Sequence, residues 1–199
     1  MQQPREISPP LVLASTSPFR RALLEKLGIA FSTRTPGIDE SPNVEEDPQR
    51  LVMRLSLQKA RAVGNKFPRA LVIGSDQVAC IDDAIMGKPG NRQGAIAQLK
   101  AASGRRVDFY TGLSLLNTAT GREQTLCEPF SVYFRPLQQD QIERYLDAEQ
   151  PYDCAGSFKS EGLGIVLFER LQGDDPNALI GLPLIRLVEM LRNEGIQIP

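Results

Sequence analysis

Histidine does not occur among the 199 residues of this chain. Its absence removes the Ser-His-Asp and Cys-His nucleophile arrangements and every zinc site built on imidazole ligands. The three cysteines, Cys80, Cys127 and Cys154, are odd in number and widely spaced. They offer neither a disulfide framework nor a CxxC metal or redox motif, so a reducing compartment is expected. No stretch approaches the roughly eighteen apolar residues of a membrane span, and Met1 to Pro10 contains no apolar signal core, so the cytoplasm is the expected location and no membrane partner is expected. Charge of one sign is not in excess either: 23 Lys+Arg stand against 24 Asp+Glu, a formal net charge of -1. Nucleic acid polymers and anionic lipid usually demand a basic excess, so any anion site here must be a local cluster. The P-loop pattern Gly-x-x-x-x-Gly-Lys-[Ser/Thr] is missing, as is a Gly-x-Gly-x-x-Gly opening a helix. An enzyme built from what remains works with carboxylates, lysines, arginines and a hard metal.

What is present is ordinary globular material, 41% hydrophobic and 24% charged, in a length that suits one domain or one domain with two lobes. The stretch that organises it is Ala70-Leu71-Val72-Ile73-Gly74-Ser75-Asp76-Gln77. A run of branched aliphatics halted by a carboxylate fits a strand covered on both faces, with Asp76 at its carboxyl end, where α/β sheets collect ligands. A turn residue capping the next segment is the alternative for Asp76.

Leu11 to Ala14 reads as a short strand, and Ser17-Pro18 as the N-cap and first position of a helix with Phe19, Leu23 and Leu27 on one face before Gly28. Arg20 and Arg21 put two cations at the positive end of that helix, where acids are usual. Either both are solvated or an anion sits among the amides with them. A second strand is expected over Ile29 to Thr35, then a proline-bracketed loop carrying Asp39 and Glu40. A helix from Asp47 to Lys66 has an apolar stripe that includes Lys59, which either snorkels to water or aims its ammonium into a site. Lys88 sits in a glycine and proline frame after a small hairpin with an Asp82-Asp83 turn. Further expectations are a helix over Asn91 to Ser103, an antiparallel pair over Val107 to Leu116 and Gln124 to Phe134, and a helix over Gln138 to Glu149. A strand from Ile165 to Arg170 and a final helix opened by Gly181-Leu182-Pro183 complete the chain. This order implies a mixed sheet with helices packed around it.

Taken together, Ala14-Ser15-Thr16-Ser17-Pro18-Phe19-Arg20-Arg21, Asp39-Glu40, Lys59, Gly74-Ser75-Asp76-Gln77 and Gly87-Lys88-Pro89 resemble, in order, the motifs of the Maf family of nucleoside triphosphate pyrophosphatases. The likeness runs from about residue 11 to 192 and is strongest to the YceF branch, associated with 7-methyl-GTP. Its signs are Asp76 followed by Gln77, and Ser157-Phe158-Lys159-Ser160-Glu161 within Cys154 to Gly162. The dTTP/UTP branch is expected to carry arginine at position 19, threonine at 77 and glutamine at 161.

The resemblance implies a single α/β domain over residues 1–199. Its fold would be shared with the inosine triphosphate pyrophosphatases: a long curved mixed sheet, flanking helices and a nucleotide cleft between two lobes. It implies a homodimer, and hydrolysis of a nucleoside triphosphate to the monophosphate and pyrophosphate with Mg2+ or Mn2+. The catalytic carboxylate falls on Asp76, phosphate binding on Ser15, Arg20, Lys59 and Lys88, metal binding on Glu40 and Asp76, and base choice on Phe19, Gln77 and Glu161. House-cleaning of modified nucleotides is the implied role. Preference for dTTP or UTP, and a nucleotide-binding regulator of septum formation in arrest of cell division, are the other readings. The chain departs from the branch at Phe19, where tryptophan is frequent, so stacking on the base is expected to be weaker.

Overall fold

The computed structural model describes residues 4–198. β1 (Leu11–Leu13) is buried along its whole length, as an unbroken apolar run requires. Its exit leads to α1 (Pro18–Glu25), where Ser17 is the N-cap, accepting from the Arg20 amide, and Pro18 begins the helix as expected. β2 (Phe31–Thr33) is shorter than Ile29 to Thr35. α2 (Pro48–Gly64) starts from the Asp47 cap, β3 (Leu71–Ile81) follows, and β4 (Ala84–Met86) folds back on its end. α3 (Arg92–Ala102), capped by Asn91, precedes the antiparallel pair β5 (Arg106–Asn117) and β6 (Arg122–Phe134). After α4 (Gln139–Glu149) come two 3₁₀ turns, Ala155–Ser157 and Leu163–Leu167, then β7 (Phe168–Gln172), α5 (Pro176–Ile180) and α6 (Leu184–Asn193).

The seven strands make one mixed sheet in the order β2-β1-β3-β5-β6-β7, with β4 beside β3. β1 is parallel to both neighbours, whereas β3 to β5, β5 to β6 and β6 to β7 are antiparallel. Among the described residues, no helix is long and apolar enough to cross a membrane.

Asp76 does not end its strand. The apolar run stops there, but β3 continues to Ile81 because β5 stays paired with it as far as Cys80↔Asp108. What stops is the other neighbour: β1 pairs only to Leu13↔Ile73, and the Ala14 amide donating to the Ile73 carbonyl at 2.8 Å is the last link on that side. A gap therefore opens beside Asp76 without any break in its own backbone pairing. The same stretch lies between two apolar cores. Leu71 and Ile73 pack with Leu13, Leu24, Leu187 and Leu191, while Ala79 and Ile81 pack with Phe109, Phe134, Leu146 and Phe158. Ser75, Asp76 and Gln77 belong to neither.

One other expectation is corrected and one is extended. The strand over Ile165 to Arg170 is half 3₁₀ turn, because the chain doubles back at Gly164, whose amide donates to the Lys159 carbonyl at 3.1 Å. The final helix does open at Gly181-Leu182-Pro183, with Pro183 as its N-cap, but that tripeptide also closes the unexpected α5, whose five residues are too few to show a helical period.

Candidate active site

The site is assembled by a close approach of helix to sheet. A Cβ on Gly74 would lie 1.9 Å from the Ser56 carbonyl oxygen, and one on Gly112 would lie 2.1 Å from that of Val52. Only glycine lets the α2 backbone rest directly on β3 and β5 at these points. One turn along α2, Lys59 is thereby pressed against the sheet with 5% of its surface exposed. It does not snorkel: its Nζ donates to Asp76 Oδ1 at 2.6 Å and meets Glu40 Oε1 at 2.8 Å.

Glu40 reaches this point on a loop tied down from α2. Arg54 donates through Nη2 to the Ser41 carbonyl at 3.0 Å and grips both oxygens of Glu46 at 2.6 Å. The hydrogen bond from Arg54 pulls the Glu46 carboxyl down to about 2. Asp39, next to Glu40, caps its own loop by accepting from the Ser41 amide at 2.9 Å and does not line the cavity.

The two arginines of α1 part company. Arg21 is exposed and pairs with Glu25 at 3.0 Å. Arg20 turns inward, and its Nε donates to the Gly181 carbonyl at 2.9 Å. Burial lowers its pKa, against the opposing pull of the Asp76 and Glu40 charges; the guanidinium remains a cation all the same. Beside it, Ser15 accepts from the Ser17 amide at 3.1 Å.

Ser15, Phe19, Arg20, Glu40, Lys59, Asp76, Gln77, Lys88 and Glu161 all line a single cavity of about 780 Å³. Phe19 is half-buried on the cavity wall and lies outside the core formed by Leu23 and Leu24. Lys88 is exposed at the rim, its frame held by Gln98 donating to the Gly87 carbonyl at 2.8 Å and by the Gly90 amide donating to Tyr152. Gln77 donates from Nε2 to the Ala178 carbonyl at 2.7 Å and to Thr111 Oγ1 at 2.9 Å. Glu161 is exposed and accepts from the Ser160 hydroxyl at 3.3 Å. Cys154 also lines the cavity, where burial raises its thiol pKa; all three cysteines are free.

The family model described as "Maf-like protein" matches residues 10–194. The chain belongs to that family. Among its Maf-like relatives, a protein of Alcanivorax borkumensis named 7-methyl-GTP pyrophosphatase is 61% identical over 192 residues, spanning 96% of this chain and 98% of that one. Proteins of the same name from Nitrosococcus oceani and Vibrio vulnificus are 57% and 58% identical, over 98% and 94% of this chain and 98% and 96% of theirs. The solved structure of the Staphylococcus aureus Ham1 protein is similar in fold, with a TM-score of 0.51 at 13% identity, over 96% of this chain and all of that one.

Among the described residues of this Maf-like chain, no group of three or more acidic, cysteine or histidine side chains gathers for a metal ion. Two carboxylates do converge on one cation, the Lys59 ammonium. Paired carboxylate oxygens fit magnesium or manganese, which take one or two such ligands and fill the rest with phosphate oxygens and water. Sequence reasoning passed over Thr111, the hydroxyl of Ser75 and the carbonyls of Ala178, Leu179 and Gly181, which hold the cavity's side chains. The only signal was Gly181 before Leu182-Pro183, read as a helix start.

Proposed function

We propose that this protein hydrolyses a nucleoside triphosphate to the monophosphate and pyrophosphate, with 7-methyl-GTP as its preferred substrate and Mg2+ or Mn2+ as its cation. The observation that carries the reading is the clasp of Lys59 between Asp76 and Glu40 in a cavity that also holds Arg20 and Lys88. The name shared by three relatives at 57% to 61% identity supports the substrate.

Water adds to phosphorus, the bond between the α and β phosphates breaks, and the products are the monophosphate, pyrophosphate and one proton. Charge builds on the departing pyrophosphate, and Arg20 and Lys59, held by their hydrogen bonds, stabilise it together with Lys88 from the rim. Asp76 Oδ1 is engaged by Lys59 at 2.6 Å, which leaves Oδ2 to accept the proton of the attacking water. Glu40 and Asp76 would hold the cation, which when bound would neutralise phosphate oxygens and lower the pKa of a coordinated water. Ser15, beside the α1 N-terminus, lies where amides favour a phosphate.

At the base end, N7-methylguanine is cationic, and stacking on the face of Phe19 contributes about 0.5 to 2 kcal/mol. The Glu161 carboxylate accepts from the guanine N1–H and N2–H groups. The chain acts as one domain of two lobes, a cytoplasmic homodimer; the free thiols and the lack of a membrane-crossing helix among the described residues support the compartment.

Pyrophosphate release across a nucleotide panel with magnesium or manganese is the test. Turnover of 7-methyl-GTP above the other triphosphates is expected, and no turnover of any nucleotide overturns the reading. Asp76→Asn is expected to bind triphosphate without cleaving it. Glu161→Gln with Gln77→Thr is expected to move preference toward dTTP and UTP.

A further inference from the structure

Four side chains around the cavity donate to backbone carbonyls of one short segment, the end of α5 and the glycine after it. The Gly181 carbonyl accepts from Arg20 Nε and from Ser75 Oγ, both at 2.9 Å. The Ala178 carbonyl accepts from Gln77 Nε2 at 2.7 Å and from Thr111 Oγ1 at 2.9 Å, and the Leu179 carbonyl lies 3.2 Å from Gln77 Nε2. The last carbonyls of a helix lack the amides of a following turn, so they can take side-chain donors; the Ala178 carbonyl also accepts from the Gly181 amide at 3.0 Å.

The segment is itself fastened. Asp175, 1% exposed, accepts from the Asn177 amide at 2.8 Å and from the Ile185 amide at 2.7 Å, bridging α5 to α6. Gly181 has φ +118, and a Cβ there would lie 3.4 Å from Arg20 Nε.

For Gln77 the consequence is chemical. Its amide nitrogen has two protons and three acceptors within range, Ala178 O, Thr111 Oγ1 and Leu179 O. The Thr111 proton goes to Ala178, so Thr111 can only accept from Gln77. Both amide protons are consumed by the protein, and Oε1 is the atom left for a ligand.

We propose that the turn from Ala178 to Gly181 is the positioning element of this cavity. It aims the Arg20 guanidinium at the phosphates and locks the Gln77 amide so that the base meets an acceptor and no donor, with Ser75 and Thr111 as positioning residues. The proposal rests on the nucleotide reading above and deepens it. Gln77 Oε1 and the Glu161 carboxylate, both on the cavity wall, are then two acceptors for the base. A guanine edge, with adjacent donors at N1 and N2, satisfies both, whereas uracil has the single N3–H donor between two carbonyls, so one acceptor would face a like dipole, which is discrimination by repulsion.

The test is calorimetric binding of the α,β-methylene analogues of 7-methyl-GTP and UTP, with magnesium, to the parent protein and to Thr111→Val, Thr111→Ser and Ser75→Ala. Thermal unfolding and pyrophosphate release are measured alongside. Thr111→Val is expected to narrow the ratio of the two dissociation constants about five-fold, the effect of one hydrogen bond. Thr111→Ser, which keeps the hydroxyl, restores the parent ratio. Ser75→Ala is expected to weaken both analogues equally, by about three-fold. An unmoved ratio in Thr111→Val, the same loss in Thr111→Ser, a ratio change in Ser75→Ala, or a parent that favours the UTP analogue overturns the proposal. A parent that binds the analogues yet releases no pyrophosphate sinks the activity reading, and the binding ratios still decide this one. Binding of neither analogue overturns both.

Discussion

Replacing Lys59 by methionine keeps most of the stem and removes the ammonium. In the parent, Lys59 and Asp76 are 5% and 7% exposed and meet at 2.6 Å, so both charges have been taken out of water. Removing one partner strands the other: the Asp76 carboxylate stays buried without its counter-charge, which costs about 3 to 5 kcal/mol. Glu40 adds little, since its side chain is 56% exposed and can return to solvent. For a chain of this size the loss corresponds to a Tm lower by on the order of 10 °C. Urea unfolding in a chelating buffer, extrapolated linearly, measures it. The companion variant Lys59→Met with Asp76→Leu removes both charges and fills the space, and is expected to regain most of the loss. A single variant within about 1 kcal/mol of the parent would show that the pair is effectively solvated. A double variant no more stable than the single would show that lost packing, not a stranded charge, is responsible.

Gly74→Ala is expected to lift α2, because the new methyl would lie 1.9 Å from the Ser56 carbonyl and 2.9 Å from the Ala60 nitrogen. A loss of about 1 to 3 kcal/mol or more is expected, together with a fall in pyrophosphate release, since Lys59 rides on the same helix; parental activity would refute the close-packing argument. Stability should also depend on Glu46 in acid. Its carboxyl is held near 2, below its usual 4.5, by the hydrogen bond from Arg54. A folded value below the unfolded one gives stabilisation that is complete above pH 4.5 and lost as pH falls toward 2. Parent and Glu46→Gln stabilities are therefore expected to converge across that window, and a constant difference would exclude the linkage.

Much of the architecture was legible from local pattern. Caps at Ser17, Asp47 and Asn91 act over three or four residues, and each starts a helix where expected. The long hairpin of β5 and β6 was visible in two extended runs joined by a polar turn. Asp76 was misplaced at a strand end because a polar residue after an apolar run looks the same whether the strand stops or only its neighbour does. α5 was missed because a single turn carries no period.

By itself, the sequence determined the helix starts, the apolar faces, the lack of histidine chemistry and a set of charged residues whose order resembles one family. Each of these is a property of neighbours in the chain or of residue types. Tertiary structure decided which of two adjacent arginines faces the cavity, that Lys59 is buried between two acids, and that Gly181, 161 residues from Arg20, holds its guanidinium. Those outcomes depend on side-chain direction and on segments meeting across the fold, where a hydrogen bond is decided by tenths of an ångström that no spacing in the sequence encodes.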